Sequence, residues 1–91
     1  MIILSPRDEY EYERERFRSN GMLLSLMIAE RPPAASVAGA IQADREAAEA
    51  LDTRAGEEAA RGEFEAAVKT EEQAIAYLVR ALRRAGLYVT Q

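Results

Sequence analysis

The stretch that decides the fold runs from residue 62 to residue 86 and reads GEFEAAVKTEEQAIAYLVRALRRAG. Its apolar residues recur at helical spacing, which predicts an amphipathic helix from about residue 63 to residue 85. They are Phe64, Ala67, Val68, Ala74, Ile75, Leu78 and Leu82. Gly86 follows, where a left-handed residue commonly ends a helix, and a contact between Leu87 and Leu82 is expected to complete a Schellman motif.

The residues before Gly62 predict a second helix, from about residue 37 to residue 61. Ser36 is a candidate N-cap, and Gly62 breaks the pattern at the other end. The apolar side of this helix is shallow and consists of Val37, Ile41, Ala48, Leu51, Ala55 and Ala59. Small side chains allow two helices to approach closely, so we expect this side to pack against the last helix as an antiparallel hairpin.

A first helix is predicted from about residue 6 to residue 30. Ser5 is its candidate N-cap, Pro6 suits the first helical position, and Asp8 is placed for a capping box. An apolar stripe at seven-residue spacing contains Tyr10, Phe17 and Leu24, and Met27 and Ile28 extend it toward the helix-stopping Pro32-Pro33. The alternative is that the first helix ends at Asn20-Gly21 and a second, shorter helix follows it.

Together these elements predict an all-α fold. The chain has 18 alanines, which favour helix, and no linker rich in proline, glycine or serine divides it. We therefore expect one domain over residues 1–91, with a short tail at 87–91. The arrangement is either a three-helix bundle or a long helix beside an antiparallel hairpin, and we expect it to dimerise.

Residues 51–75, LDTRAGEEAARGEFEAAVKTEEQAI, resemble a single tetratricopeptide repeat. The positions that match its pattern are Leu51, Ala55, Gly62, Phe64, Ala67 and Ala74. Arg54, Glu58 and Glu71 stand where that repeat usually has apolar residues, and Val79 stands near its closing proline. The resemblance covers about a quarter of the chain. It implies a helical hairpin and a role in protein interaction.

The composition narrows the range of functions. The chain contains no cysteine and no histidine, which removes the usual zinc ligands and the nucleophile–histidine catalytic pairs. Its net charge of −4 is the wrong sign for a protein that binds phosphate backbones. We expect no catalytic, cofactor-binding or metal-binding residues, no cofactor and no nucleic-acid partner.

Two carboxylates interrupt the predicted apolar stripes, Asp44 on the second helix and Glu71 on the third. If both carboxylates face the same interior, they could act as an acid–base pair or bind a hard cation. The interpretation we favour is that each lies at the edge of its stripe, solvated or paired with an arginine such as Arg54 or Arg18.

Residues 22–28, MLLSLMI, are apolar on nearly every side of a helix, so more than one surface has to cover them. Either the other two helices do so, or a second copy of the chain does. We expect self-association, with an interface formed by Tyr10, Phe17, Leu24, Met27 and Ile28. Insertion into a membrane is disfavoured because the run is short and the charge around it is mixed.

These observations predict a non-catalytic helical module for protein interaction or assembly, located in the cytoplasm. The alternative is a small accessory or regulatory subunit of an enzyme or other complex. An enzyme would require a pocket that gathers Asp44, Glu71 and Tyr77, with a perturbed carboxylate among them.

Overall fold

In a computed structural model, which describes residues 5–86, the chain forms three helices. They are α1 (Pro6–Glu30), α2 (Ala35–Ala60) and α3 (Phe64–Arg84). Residues 5–86 contain no strand, so the predicted all-α class is confirmed. The predicted tail and the contact of Leu87 with Leu82 lie outside the described residues.

The first helix begins as its sequence predicts. The Ser5 side chain accepts a hydrogen bond from the backbone N–H of Asp8 at 3.2 Å, and Pro6 occupies the first helical turn. The helix continues through Asn20-Gly21, so the alternative of two shorter helices does not occur. It ends at Glu30, immediately before Arg31 and the two prolines.

The prediction that Ser36 caps the second helix is wrong. Ala34 is the N-cap, no side chain caps this end, and Ser36 lies within the first turn of α2. The carbonyl of Ala34 accepts from the N–H groups of Val37 and Ala38, both at 2.9 Å. Proline disfavours helix in the residues before it but not in those after it, so the helix can begin soon after the Pro32-Pro33 pair.

The turn between α2 and α3 is a Schellman motif centred on Gly62. The N–H of Gly62 donates to the carbonyl of Ala59, and the N–H of Glu63 donates to the carbonyl of Glu58, both at 2.9 Å. Gly62 has a φ of +79°, in the left-handed region that glycine adopts without strain. The break predicted at Gly62 therefore reverses the chain between the two helices.

Replacing Gly62 with alanine is expected to lower the free energy of unfolding by about 1 to 2 kcal/mol, because a Cβ strains the left-handed conformation. Gly39 provides the control, since it lies inside α2 and a Cβ there would meet nothing within 4 Å. Gly39→Ala should raise stability by up to about 1 kcal/mol. Urea unfolding of both variants measures the difference, and equal effects would contradict this account of the turn.

The last helix, α3, is the centre of the bundle. Both α1 and α2 pack along α3, whereas α1 and α2 scarcely touch each other. Since α2 and α3 are joined by a tight turn, they run antiparallel. Tyr10 shares a cluster with Ala67 near the start of α3, and Leu24 shares one with Leu82 near its end, so α1 runs parallel to α3.

Most of the buried apolar residues fall into two clusters along α3. The larger cluster contains Leu24, Ile41, Ala48, Leu78, Ala81 and Leu82. The smaller cluster contains Tyr10, Ala55, Ala67 and Val68. Phe64 is half-buried against the smaller cluster, with its ring centroid 6.4 Å from that of Tyr10. The predicted apolar side of α3 is therefore the side that faces the core.

Candidate functional site

The interface predicted on α1 needs correction. Tyr10 and Leu24 are exposed by only 6% and 0% within a single chain. Phe17, Met27 and Ile28 are partly buried and pack against the larger cluster. The prediction assumed that the apolar faces of α2 and α3 would cover each other and that the apolar face of α1 would stay uncovered within one chain. Instead α3 packs against both neighbours, and the heptad stripe of α1 faces the core.

A different face of α1 is exposed. Met22, Leu23 and Leu26 leave 68%, 38% and 59% of their surfaces uncovered within residues 5–86. At 100° per residue these three side chains share a sector of about 100°, opposite the buried Leu24. We call Met22, Leu23 and Leu26 the outer stripe of α1. Its three apolar side chains point to solvent from the middle of a charged helix.

Asp44 is paired with an arginine, but not with either arginine named from the sequence. One oxygen of its buried carboxylate accepts from Nε of Arg84 at 3.0 Å. Arg54 instead lies 3.7 Å from Glu58, and Arg18 lies 3.3 Å from Glu15. The ion pair of Asp44 joins α2 to the end of α3, so its arrangement is structural.

The interpretation that Glu71 lies at the edge of its stripe, solvated or paired with an arginine, is wrong. It is 0% exposed, and neither carboxylate oxygen has a hydrogen-bond partner among the described residues. Arg84, the partner of Asp44, lies 13 residues further along α3. At 1.5 Å per residue this places the Cα atom of Arg84 about 20 Å along the helix from that of Glu71. The two carboxylates therefore do not form one site with Tyr77.

The surroundings of Glu71 favour its protonated form. The pKa of Glu71 is raised to about 8, first by burial and then by the nearby carboxylate of Asp52, against a smaller lowering by Arg14. Two ionised carboxylates can only accept hydrogen bonds, whereas a proton on Glu71 provides a donor toward Asp52. Burial also raises the pKa of the Tyr10 hydroxyl, which lies in the same region. Glu71 is thus a buried acid that holds its proton at neutral pH.

Glu13 is a further carboxylate that the bundle buries. It lies three residues after Tyr10 and four before Phe17, on the inner face of α1, and it is 6% exposed. Arg16 donates to both of its carboxylate oxygens, at 3.3 and 3.0 Å. Glu13, Asp52 and Glu71 bring three acidic groups from three helices into one region.

An open groove of about 480 Å³ separates the first half of α1 from α2. Arg7, Tyr10 and Arg14 line one side of this groove, while Asp52 and Gly56 are among the residues on the other. The described residues contain no group of three or more histidines, cysteines or acids arranged to hold a metal ion. No helix within residues 5–86 combines the length and apolarity needed to cross a bilayer.

Comparison of the chain with models of protein families, with curated proteins and with solved structures gives no match. Residues 51–75 do form a helical hairpin around Gly62. Membership in the tetratricopeptide family stays a prediction.

Proposed function

We propose that this chain is a non-catalytic helical assembly module that pairs with a second copy of itself through the outer stripe of α1. The observation that carries the proposal is the exposure of Met22 and Leu26 by 68% and 59% on one face. Covering apolar surface of this kind is favourable in proportion to its area. Contiguous apolar side chains rimmed by charges are typical of interaction surfaces.

A second copy is the occupant that the charges around the stripe favour. Arg16, Leu23 and Glu30 are seven residues apart and so follow one line along α1. If two copies of α1 pack antiparallel with Leu23 against Leu23, Arg16 of each copy faces Glu30 of the other. A two-fold axis produces this arrangement without any new complementary surface.

The pairing is expected to be weak. Each copy contributes three exposed apolar side chains, and interfaces that bury less than about 1,200 Å² belong to the transient class. Exposed ion pairs such as Arg16 with Glu30 add only about 0.2 to 1 kcal/mol each. We therefore expect dissociation constants in roughly the micromolar to millimolar range.

The double variant Met22→Ser with Leu26→Ser is expected to weaken self-association at least about tenfold, since it removes most of the apolar area of the stripe. Sedimentation equilibrium over a concentration series measures this. The control replaces two exposed alanines of α2, Ala43 and Ala50, by serine and should leave the dissociation constant unchanged.

Two results would contradict the proposal. One is a wild-type protein that shows no dimer even at millimolar concentration. This result would favour the accessory-subunit function, with the outer stripe covered by another protein. The other is an unchanged dissociation constant for the Met22→Ser, Leu26→Ser variant, which would place the contact elsewhere.

A further inference from the structure

The two halves of α1 are anchored to the bundle very differently. The second half inserts the fully buried Leu24 into the larger cluster, with Met27 and Ile28 packed beside it. The first half contributes Tyr10 to the smaller cluster, whose other members include two alanines, and packs the partly buried Phe17 against the larger cluster. Residues 6–19 thus have two apolar anchors, against three over the shorter span 21–30, and because burial energy follows apolar area the first half is held less firmly for its length.

The first half of α1 also covers the buried acid. Tyr10, Glu13 and Arg14 of α1 face Glu71, and Asp52 faces it from α2. Arg14 is the only cation in this group, and it makes no hydrogen bond to Glu71 within residues 5–86. An ionised Glu71 would therefore be buried beside the negative charges of Asp52 and Glu13. Such a charge is costly to bury unless it is paired.

The groove between α1 and α2 leaves the first half of α1 attached mainly to α3. Moving this segment outward breaks the contacts of Tyr10 and Phe17 but leaves the α2–α3 hairpin and the buried members of the larger cluster in place. Water would then reach Glu71 along the widened groove. The geometry thus permits a local opening that does not require unfolding of the whole chain.

Gly21 lies between the two halves, within the continuous helix α1. A Cβ built on Gly21 would lie 4.0 Å from Cδ1 of Leu78, which is an ordinary contact. Packing therefore does not require glycine at this position. Glycine is among the weakest helix formers, so it leaves α1 easiest to interrupt there.

We propose that the first half of α1, residues 6–19, is a proton-controlled arm that hinges at Asn20-Gly21 and opens when Glu71 loses its proton. The closed arm holds Glu71 away from water, and the open arm exposes it. The pKa of Glu71, about 8 in the closed state, returns toward its ordinary value of 4.5 when water reaches the group. The opening equilibrium therefore rises with pH, by up to about tenfold per pH unit between these values, and levels off above about pH 8.

Amide hydrogen exchange followed by NMR between about pH 6 and about pH 8 tests the proposal. Once detached, a helical segment of this length is only marginally stable in water, so its amides exchange when the arm opens. In the wild type, protection factors for residues 10–19 are expected to fall by up to about tenfold per pH unit. They should also lie below the protection factors of residues 22–30, which stay anchored by Leu24.

Three sets of variants distinguish opening of the arm from a general loss of stability. Glu71→Gln, or Glu71→Met if the amide prevents folding, should make protection of residues 10–19 independent of pH. The matched control is Glu72→Gln, which makes the same change at the exposed neighbour and should retain the wild-type pH dependence. Gly21→Ala should raise protection of the arm about fivefold by strengthening the helix at the hinge.

Equal protection in both halves of α1 at every pH would overturn the proposal, because α1 would then open only with the whole bundle. The persistence of the wild-type pH dependence in Glu71→Gln would also overturn it, because another group would then control the opening. The arm is a property of the single chain, so neither outcome depends on self-association through the outer stripe.

Discussion

Replacing Leu24 with alanine is expected to lower the free energy of unfolding by about 3 to 5 kcal/mol. Leu24 is 0% exposed and belongs to the larger cluster with Ile41, Leu78 and Leu82. Truncation removes its apolar contacts and leaves a cavity that three packed helices can close only in part. Urea unfolding followed by circular dichroism at 222 nm, the usual helix signal, measures the loss.

The chain provides a matched control two residues away. Leu26 lies on the same helix but is 59% exposed, so Leu26→Ala should change stability by less than about 0.5 kcal/mol in the dilute monomer. The loss caused by Leu24→Ala should not depend on protein concentration, because Leu24 is covered within one chain. Similar losses for the two variants, or a Leu24 effect present only at high concentration, would show that α1 does not face the core as described.

A rise in pH from about 4.5 to about 8 is expected to lower the free energy of unfolding by up to about 5 kcal/mol through Glu71 alone. Its pKa is about 8 in the folded chain, against an ordinary value of 4.5. Between these values the folded state holds a proton that the unfolded state has released. This contribution to stability is therefore fully present below about pH 4.5 and is lost as pH rises through about pH 8.

The difference between wild type and Glu71→Met isolates this effect. Methionine fills a similar volume without an ionisable group, so the variant should lack the Glu71 contribution and be the more stable protein at pH 8. The chain has no histidine, the side chain that ordinarily titrates in this range. Parallel stability curves for the two proteins would contradict a proton on Glu71. Glu72→Met, a change at an exposed residue, should follow the wild-type curve.

The sequence identified Glu71 as a carboxylate within an apolar stripe, but it did not show which side chains surround Glu71. Helical spacing placed Glu71 within the apolar stripe of α3, and the choice between a buried and an edge position depended on what covers that stripe. The residues that decide it, Tyr10, Arg14 and Asp52, come from two other helices. Spacing along one helix carries no information about which side chains a neighbouring helix brings to the same point.

The sequence also did not place the proposed self-association surface on the exposed face of α1. The sequence identified the apolar run at residues 22–28 and the need for two covering surfaces. It did not decide which face of α1 turns toward α3. In the structure Leu24 is buried while Met22 and Leu26 are exposed, so the proposed contact lies on the opposite face from the predicted one.

By itself the sequence determined the three helices, the cap at Ser5 and the reversal at Gly62. These features depend on propensities, side-chain caps and backbone conformation, which act between residues within about one helical turn of each other. Only the tertiary structure decided that α3 is the central helix, that Asp44 pairs with Arg84 and that the Glu71 carboxylate has no hydrogen-bond partner within residues 5–86. Asp44 and Arg84 are 40 residues apart, and such contacts form only when the hydrophobic faces of whole helices pack together.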